Sequence, residues 1–310
     1  MQVAVIDIGT NTVLLLVARF DQAGNLSPLV YEQRVPRLGK GVDAAKTLDP
    51  DSIERVVAVL LEYKNLLSRF TPKATVVCST SAVRESANRD EFIQRVRHAT
   101  GFSVEVLSGE DEAYWTFRGA VSGASGYGRF TVLDIGGGST EITTGTSAEI
   151  QQSISLDIGS VRLSERLFAH DPPTALELES TIEVVEDELT RARGFPFSGS
   201  KLIGVAGTAT TLALLAQGLQ DFQVEAVTNF RLTRDAVENL FRTLREMPSS
   251  EIRALSSVLE GRADIINAGT LILREVMHHY GFDEMIVSER GVRYGLAMRE
   301  WEKSRGRERT

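Results

Sequence analysis

The sequence predicts an α/β protein of two related domains, and three observations carry that prediction. The chain has 310 residues, more than one ordinary domain of about 100–200 residues accounts for. Its first third places three strand-like runs ahead of alternating helix and strand, and the same order starts again after residue 128. Each half opens with an apolar run closed by Asp-Ile-Gly, at 7–9 and at 134–136.

The elements follow in order. Val3 to Ile6 suits a buried strand; Leu14 to Phe20 and Leu29 to Val35 follow it, with Asp21 to Asn25 as a turn. Asp49-Pro50-Asp51-Ser52 predicts a helix start, and Ile53, Val56, Val57, Leu60 and Leu61 fall on one helical face. Thr75 to Cys78 reads as a strand, Asp90 to His98 as a helix, Val104 to Leu107 as a strand and Glu110 to Val121 as a helix. The Gly/Ser-rich segment 122–128 marks the boundary, giving domains 1–124 and 125–310. Beyond it, Phe130 to Leu133, Ile142 to Thr144 and Ile150 to Leu156 are strands, followed by helices at Val161–Phe168 and Ala175–Arg193. Leu202 to Ala206 is a strand that leads through Gly207 to Thr211 into a helix. The remainder reads as helical apart from Met285 to Ser288, and the last helix is a candidate to pack back on the first domain. Only the two hairpins repeat at the level of sequence.

Composition narrows the function classes. Hydrophobic residues make up 42% and charged residues 25%, enough for two buried cores. A single cysteine, Cys78, excludes an intramolecular disulfide and points to a reducing, cytoplasmic setting. Met1 to Val5 carries no positive charge ahead of its apolar run and Asp7 interrupts that run, so it is not a signal peptide. No window holds the ~18 uncharged apolar residues of a membrane span, so a soluble protein with no membrane partner is expected. A net charge of −8 argues against nucleic acid as a partner. The same charge means that a polyanionic ligand needs local donors and a cation.

The hairpins supply such donors. Glycines let main-chain N–H groups approach an oxyanion without a Cβ in the way. Gly9, Gly136, Gly137 and Gly138 are placed for this, and Thr10, Asn11, Ser139 and Thr140 add side-chain donors. Asp7, Asp134 and Glu141 cannot lie bare beside phosphate, which implies a hard cation, Mg²⁺ first and Mn²⁺ as the alternative. A lone Asp-x-Gly-Thr hairpin is equally an ordinary turn. Two in register, one with three consecutive glycines and flanking acids, are a stronger signal. No Gly-Lys-Ser/Thr ending follows the glycines, so this is not a Walker loop.

Beyond the hairpins, the chain carries Arg37 to Gly41, Ser79 to Glu85, Ser108 to Ala113, Leu156 to Leu163, Gly204 to Leu212, Arg262 to Ile266 and Ser288 to Gly295. With these segments it resembles the exopolyphosphatase / guanosine pentaphosphate phosphohydrolase (Ppx/GppA) family, in its short two-domain form. That family is a branch of the actin, sugar-kinase and heat-shock-chaperone ATPase superfamily. The Ser-Ala-Val-Arg, Ser-Gly-x-x-Glu-Ala and Ser-Glu-Arg-Gly segments narrow the resemblance to this branch. It implies two ribonuclease-H-like domains facing across a cleft, with a phosphate chain held by the hairpins and water as acceptor. The longer members' C-terminal metal-dependent-phosphohydrolase-like domain has no counterpart here, since His278-His279 is followed by Tyr280.

Glu110, Asp111 and Glu112 are, by position, first-turn acids that suit a helix dipole. The resemblance singles out Glu112 as the catalytic base and Arg84 as the phosphate-contacting arginine, with Arg37 and Arg262 as weaker candidates. It leaves Asp134 and Glu141 as metal ligands, with Asp7 assisting. Gly207 to Thr211 corresponds to the superfamily's adenosine-contacting turn. The activity implied is release of orthophosphate from inorganic polyphosphate, with shorter chains expected and a homodimer compatible. Guanosine pentaphosphate is the alternative substrate; an ATP-binding kinase and a polyphosphate or nucleotide sensor are alternatives of another class.

Overall fold

The computed structural model describes residues 1–124, 126 and 128–306. Ser125 and Tyr127, in the segment chosen as the boundary, lie outside them. The chain forms two compact units that divide between Gly119 and Ala120, inside the helix Gly109–Ser122. The segment from Val292 belongs to the first unit; the sequence reading put it in a domain 125–310, with its last helix a candidate to pack back on the first domain.

The first unit holds a five-stranded sheet of β1 (Gln2–Ile8), β2 (Val13–Phe20), β3 (Leu26–Arg34), β4 (Ala74–Ser79) and β5 (Val104–Val106), in the order β3-β2-β1-β4-β5. β1 to β3 form the antiparallel meander; β4 and β5 run parallel to β1. Successive side chains of a strand point to opposite faces, and β1 is buried on both. Ala4, Ile6 and Ile8 face the helices Pro50–Leu67 and Arg89–Thr100 through Ile53, Val56, Leu60, Phe92 and Val96. Asp49 caps the first of these helices, its carboxylate accepting from Ser52 N at 2.9 Å.

Val3 and Val5 face the other way, onto Trp115 of Gly109–Ser122 and onto Val292, Tyr294, Leu296 and Ala297 of the helix Val292–Ser304. That apolar face places the C-terminal helix in the first unit. Without it, only the helix Gly109–Ser122 would cover that side of the first sheet. The two covering helices approach each other closely at Gly295. A Cβ there would lie 2.6 Å from the carbonyl carbon of Trp115 and closer still to its oxygen. The obstacle is backbone, which cannot rotate aside. Gly295→Ala is therefore expected to destabilise the fold by about 3 kcal/mol, the upper end for overpacking. Urea unfolding of the two proteins side by side measures it, and a midpoint within error of wild type would refute the close crossing.

The second unit repeats the plan. Its strands are β6 (Phe130–Ile135), β7 (Thr140–Gly145), β8 (Ile150–Leu156), β9 (Lys201–Val205), β10 (Arg231–Thr233) and β11 (Glu284–Val287), ordered β10-β11-β9-β6-β7-β8. From β8 to β11 this is the strand order of the first sheet, with the same directions. Both units thus show the ribonuclease-H-like arrangement, and the fold class is α/β. β10 is an addition that the sequence reading missed, since three residues carry no periodic signal; it pairs antiparallel to β11 at the edge. The core of this unit packs Leu133, Ile135, Leu202, Met285 and Val287 against helices that include Ala206–Ala216 and Ile266–Tyr280. Among the described residues no helix is long and apolar enough to cross a membrane.

Candidate active site

The glycine loop of the second unit lies between β6 and β7, where Gly136 N donates to Ser139 O at 3.0 Å. The three carbonyls that follow are all held by one segment. Gly136 O accepts from Ser160 N (2.9 Å) and from the Ser160 hydroxyl (3.2 Å). Gly137 O accepts from Val161 N (2.9 Å) and Arg162 N (3.0 Å). Gly138 O accepts from Arg162 Nε at 2.6 Å. The amides on the far side of those peptides belong to Gly137, Gly138 and Ser139, and they donate to no other group among the described residues. Gly138 and Ser139 are buried, and a buried amide without an acceptor is costly. Three neighbouring amides of this kind form a nest for an anion.

The approach of the bracing segment is possible because residue 159 is glycine. A Cβ on Gly159 would lie 2.6 Å from the carbonyl carbon of Gly137 and 2.7 Å from that of Gly138. Thr140 takes part in the brace rather than in the nest. Its side chain is 0% exposed and its hydroxyl donates to Ile158 O at 2.7 Å. This corrects its placement among the phosphate donors, because the one hydroxyl proton is already engaged.

Asp134 and Glu141 are directly opposed in the β6–β7 register, so their carboxylates leave the same face of the sheet. Two like charges at that spacing repel unless a cation lies with them. Glu141 is buried and its Oε1 accepts from the Ser155 hydroxyl at 2.7 Å, which orients the other oxygen. Two hard oxygen donors fit Mg²⁺, a cation that keeps water and phosphate in its remaining positions. Among the described residues no group of three His, Cys, Asp or Glu is placed to hold a metal alone.

The hairpin of the first unit has the same turn. Gly9 N donates to Thr12 O at 2.9 Å, as Gly136 N does to Ser139 O. Its carbonyls are also braced, Thr10 O by Gly39 N (2.7 Å) and Asn11 O by Arg37 N (3.1 Å). Arg37 thus acts here through its main chain, at a positive φ of 57°. A side chain on Gly39 would run into the Thr10 methyl. The Thr10 hydroxyl shares a hydrogen bond with Ser81 Oγ at 3.0 Å.

The three acids after Ser108 separate in the structure. Glu110 is exposed. Asp111 closes the helix start, with Ser108 Oγ accepting its amide (3.0 Å) and donating to its carboxylate (2.9 Å). Glu112 turns inward, 8% exposed, and its Oε2 accepts from Arg84 Nη1 at 2.8 Å. The same Nη1 reaches Leu107 O at 3.1 Å. Arg84 Nε and Nη2 donate to no group among the described residues, and the side chain is part-exposed. Burial pushes the Glu112 carboxyl up to about 7, against the lowering effect of the Arg84 guanidinium; the Asp7 charge adds to the rise. A carboxyl in that range exchanges protons near neutral pH.

Asp7 is 9% exposed at the end of β1, and burial pushes it up to about 6, with the Arg293 guanidinium pulling down. Arg293 is a residue that the sequence reading missed. It is 4% exposed, its guanidinium lies 4.3 Å from the centre of the Tyr31 ring, and Nη1 has no hydrogen-bond partner among the described residues. An arginine buried in the first turn of a helix had no sequence signal of its own beyond its place in Ser288 to Gly295. Arg162 was missed too. Arg262 is buried against Gly207, where a Cβ would lie 2.5 Å from the Arg262 Cζ. The residue before that glycine, Ala206, has a positive φ of 64°. Thr208 in this turn donates to Ile135 O at 3.3 Å, which ties it to the end of β6.

The structure therefore groups Asp7, Thr10, Arg84 and Glu112 within the first unit, and Asp134, Gly136 to Ser139 and Glu141 within the second. Residues 16–304 match the family model of the Ppx/GppA phosphatase family. Exopolyphosphatase 2 of Mycobacterium tuberculosis is 36% identical, across 96% of this chain and 98% of its own. Among solved structures, the Aquifex aeolicus Ppx/GppA family member is 34% identical with a TM-score of 0.83, covering 98% of both chains. An exopolyphosphatase from Cytophaga hutchinsonii is 25% identical with a TM-score of 0.90, covering 99% of both. The chain belongs to the Ppx/GppA phosphatase family, and with it to the hydrolases.

Proposed function

We propose that this enzyme is an exopolyphosphatase that releases orthophosphate from the end of inorganic polyphosphate. The observation that carries the reading is the buried Glu112 carboxylate, paired with an arginine that keeps two donor positions open toward an anion. In the proposed step Glu112 accepts a proton from water as the water oxygen bonds to the terminal phosphorus. The bridging P–O bond breaks, and its electron pair leaves with the shortened chain. Arg84 in the first unit, and the amides of Gly137, Gly138 and Ser139 in the second, each offer donors suited to phosphate oxygens, the atoms over which charge is spread in the transition state. Asp134 and Glu141 would hold Mg²⁺, which would supply positive charge beside the phosphate oxygens. The names of the mycobacterial and Cytophaga relatives support polyphosphate as substrate.

The test is phosphate release, with Mg²⁺, from short- and medium-chain polyphosphate, guanosine pentaphosphate and ATP side by side. Release chiefly from polyphosphate supports the proposal. Preference for guanosine pentaphosphate would overturn the substrate and keep the hydrolytic chemistry, and no release at all would overturn both. The metal assignment has its own prediction. Removing an outer partner of a ligand costs about 10–100-fold in metal affinity, and removing a ligand costs at least as much. Asp134→Asn is therefore expected to raise the Mg²⁺ concentration for half-maximal activity by that factor. An unchanged Mg²⁺ titration would take Asp134 out of the metal shell.

A further inference from the structure

The brace behind the glycine loop changes character at its last member. Backbone amides and a serine hydroxyl hold the carbonyls of Gly136 and Gly137. The carbonyl of Gly138 is held by a charged side chain, Arg162 Nε at 2.6 Å, and that side chain is 7% exposed. Burying an arginine takes its charge out of water, a cost that a backbone or hydroxyl donor does not carry. A backbone or hydroxyl donor served for the two neighbouring peptides.

We propose that Arg162 is a positioning residue for the substrate's phosphate, fixing the peptide between Gly138 and Ser139 with its carbonyl inward and its amide toward the anion. This rests on the reading of the loop as the phosphate site. That peptide turns about ψ of Gly138 and φ of Ser139, and with no Cβ on Gly138 the first rotation is weakly restrained, so without its brace the peptide can turn over. The turned peptide would offer a carbonyl oxygen to the phosphate in place of an N–H, exchanging attraction for repulsion. A charge-assisted hydrogen bond is roughly twice as strong as a neutral one. One to the carbonyl also polarises the N–H of the same peptide unit, which strengthens the Ser139 donor. The guanidinium thus acts on the substrate through a peptide that it touches from behind.

A role of this kind has a kinetic signature. If only the fraction of molecules with the peptide correctly turned binds phosphate, apparent affinity falls in proportion to that fraction. The loss of a hydrogen bond to a charged group corresponds to about 10–100-fold in such a population. KM and Kd are therefore expected to rise together while kcat changes far less. A residue that merely supports the helix Ser160–Leu167 would lower the melting temperature and leave both constants where they were.

The experiment uses the full chain with Arg162→Lys, Arg162→Gln and Arg162→Met, and inorganic tripolyphosphate as the probe. KM and kcat come from phosphate release with Mg²⁺, and Kd from calorimetry in a Glu112→Gln background. Arg162→Met is expected to raise KM and Kd about 10–100-fold. Arg162→Lys, which keeps a charged donor, should recover part of the loss, and Arg162→Gln should lie between them. If Arg162→Met does not fold, the Lys and Gln variants carry the comparison. Wild-type Kd in folded Gln or Met variants would overturn the role of Arg162 and leave the loop as a phosphate site. Failure of the unsubstituted loop to bind tripolyphosphate would overturn both readings together. Binding without hydrolysis would sink only the catalytic reading, and Kd would still decide the role of Arg162.

Discussion

Glu112→Gln is expected to lower the rate of phosphate release from polyphosphate by about 10²–10⁴-fold, the range that a positioned general base supplies, while substrate still binds. The glutamine keeps the shape of the side chain and one oxygen to accept from Arg84, so the 2.8 Å contact has a neutral equivalent. What disappears is the group that takes the proton from water. Measuring kcat and the calorimetric Kd on the same preparation separates the two effects. A loss of binding with kcat intact would move Glu112 from the chemistry to the binding of substrate.

The same variant has a pH signature. In the folded enzyme burial holds Glu112 at about 7, so kcat/KM of the wild type is expected to rise with pH through that value as the base ionises. The residual activity of Glu112→Gln should lack this rise. Stability moves the other way. A folded pKa above the ordinary 4.5 means that the native state binds the proton more tightly than the unfolded chain. The carboxyl's contribution to stability therefore falls as pH climbs from about 4.5 to about 7. Glutamine, which resembles the protonated acid, should melt higher than wild type at pH 8 and converge with it near pH 4.5. An enzyme more stable without its own carboxylate is what a functional burial of charge looks like.

How much of this was legible beforehand depends on the kind of signal each residue gives. The hairpins were, because an apolar run ending in Asp-Ile-Gly reports strand, turn and chemistry within a few adjacent residues. The three-strand meander and the alternation after it were legible too, whereas the strand order came with the structure. Glu112 could not be separated from Glu110 and Asp111 by position. Only packing shows that one faces solvent, one caps the helix and one is buried beside Arg84. Val292–Ser304 could be named only as a candidate for the first domain, since amphipathicity tells that a helix has a partner and not which one. Thr140 was misjudged because a hydroxyl next to a glycine loop looks like a donor until its acceptor, Ile158 O, is seen.

The duplication also runs deeper than the sequence suggested. Only the hairpins repeat as letters, yet Gly39 and Gly159 do the same work behind them. Each follows the third strand of its sheet, and each lets a loop press on the hairpin from behind. The two segments share little else in sequence, Arg37-Leu38-Gly39-Lys40 against Asp157-Ile158-Gly159-Ser160. What repeats is the requirement for contact without a Cβ.

That requirement yields the second large effect. Gly159→Ala is expected to lower kcat/KM for polyphosphate by about 10²-fold, the cost of misplacing reacting groups by about 1 Å. The added Cβ would meet Gly137 and Gly138 backbone atoms at 2.6 and 2.7 Å, and ordinary contact is roughly 3.5–4.0 Å. Neither neighbour is a side chain that can rotate away, so the loop or the helix Ser160–Leu167 must shift by about the difference. The amides of Gly137, Gly138 and Ser139 would shift with it. Gly39→Ala supplies the internal control, because its nearest obstacle is the methyl of Thr10, a group that can be removed. Thr10→Ser should restore most of the activity lost in Gly39→Ala, since serine keeps the hydroxyl that meets Ser81. No single side-chain change should rescue Gly159→Ala. Equal rescue in both hairpins, or wild-type kcat/KM in Gly159→Ala, would show that the braces are packing alone and do not set the phosphate donors.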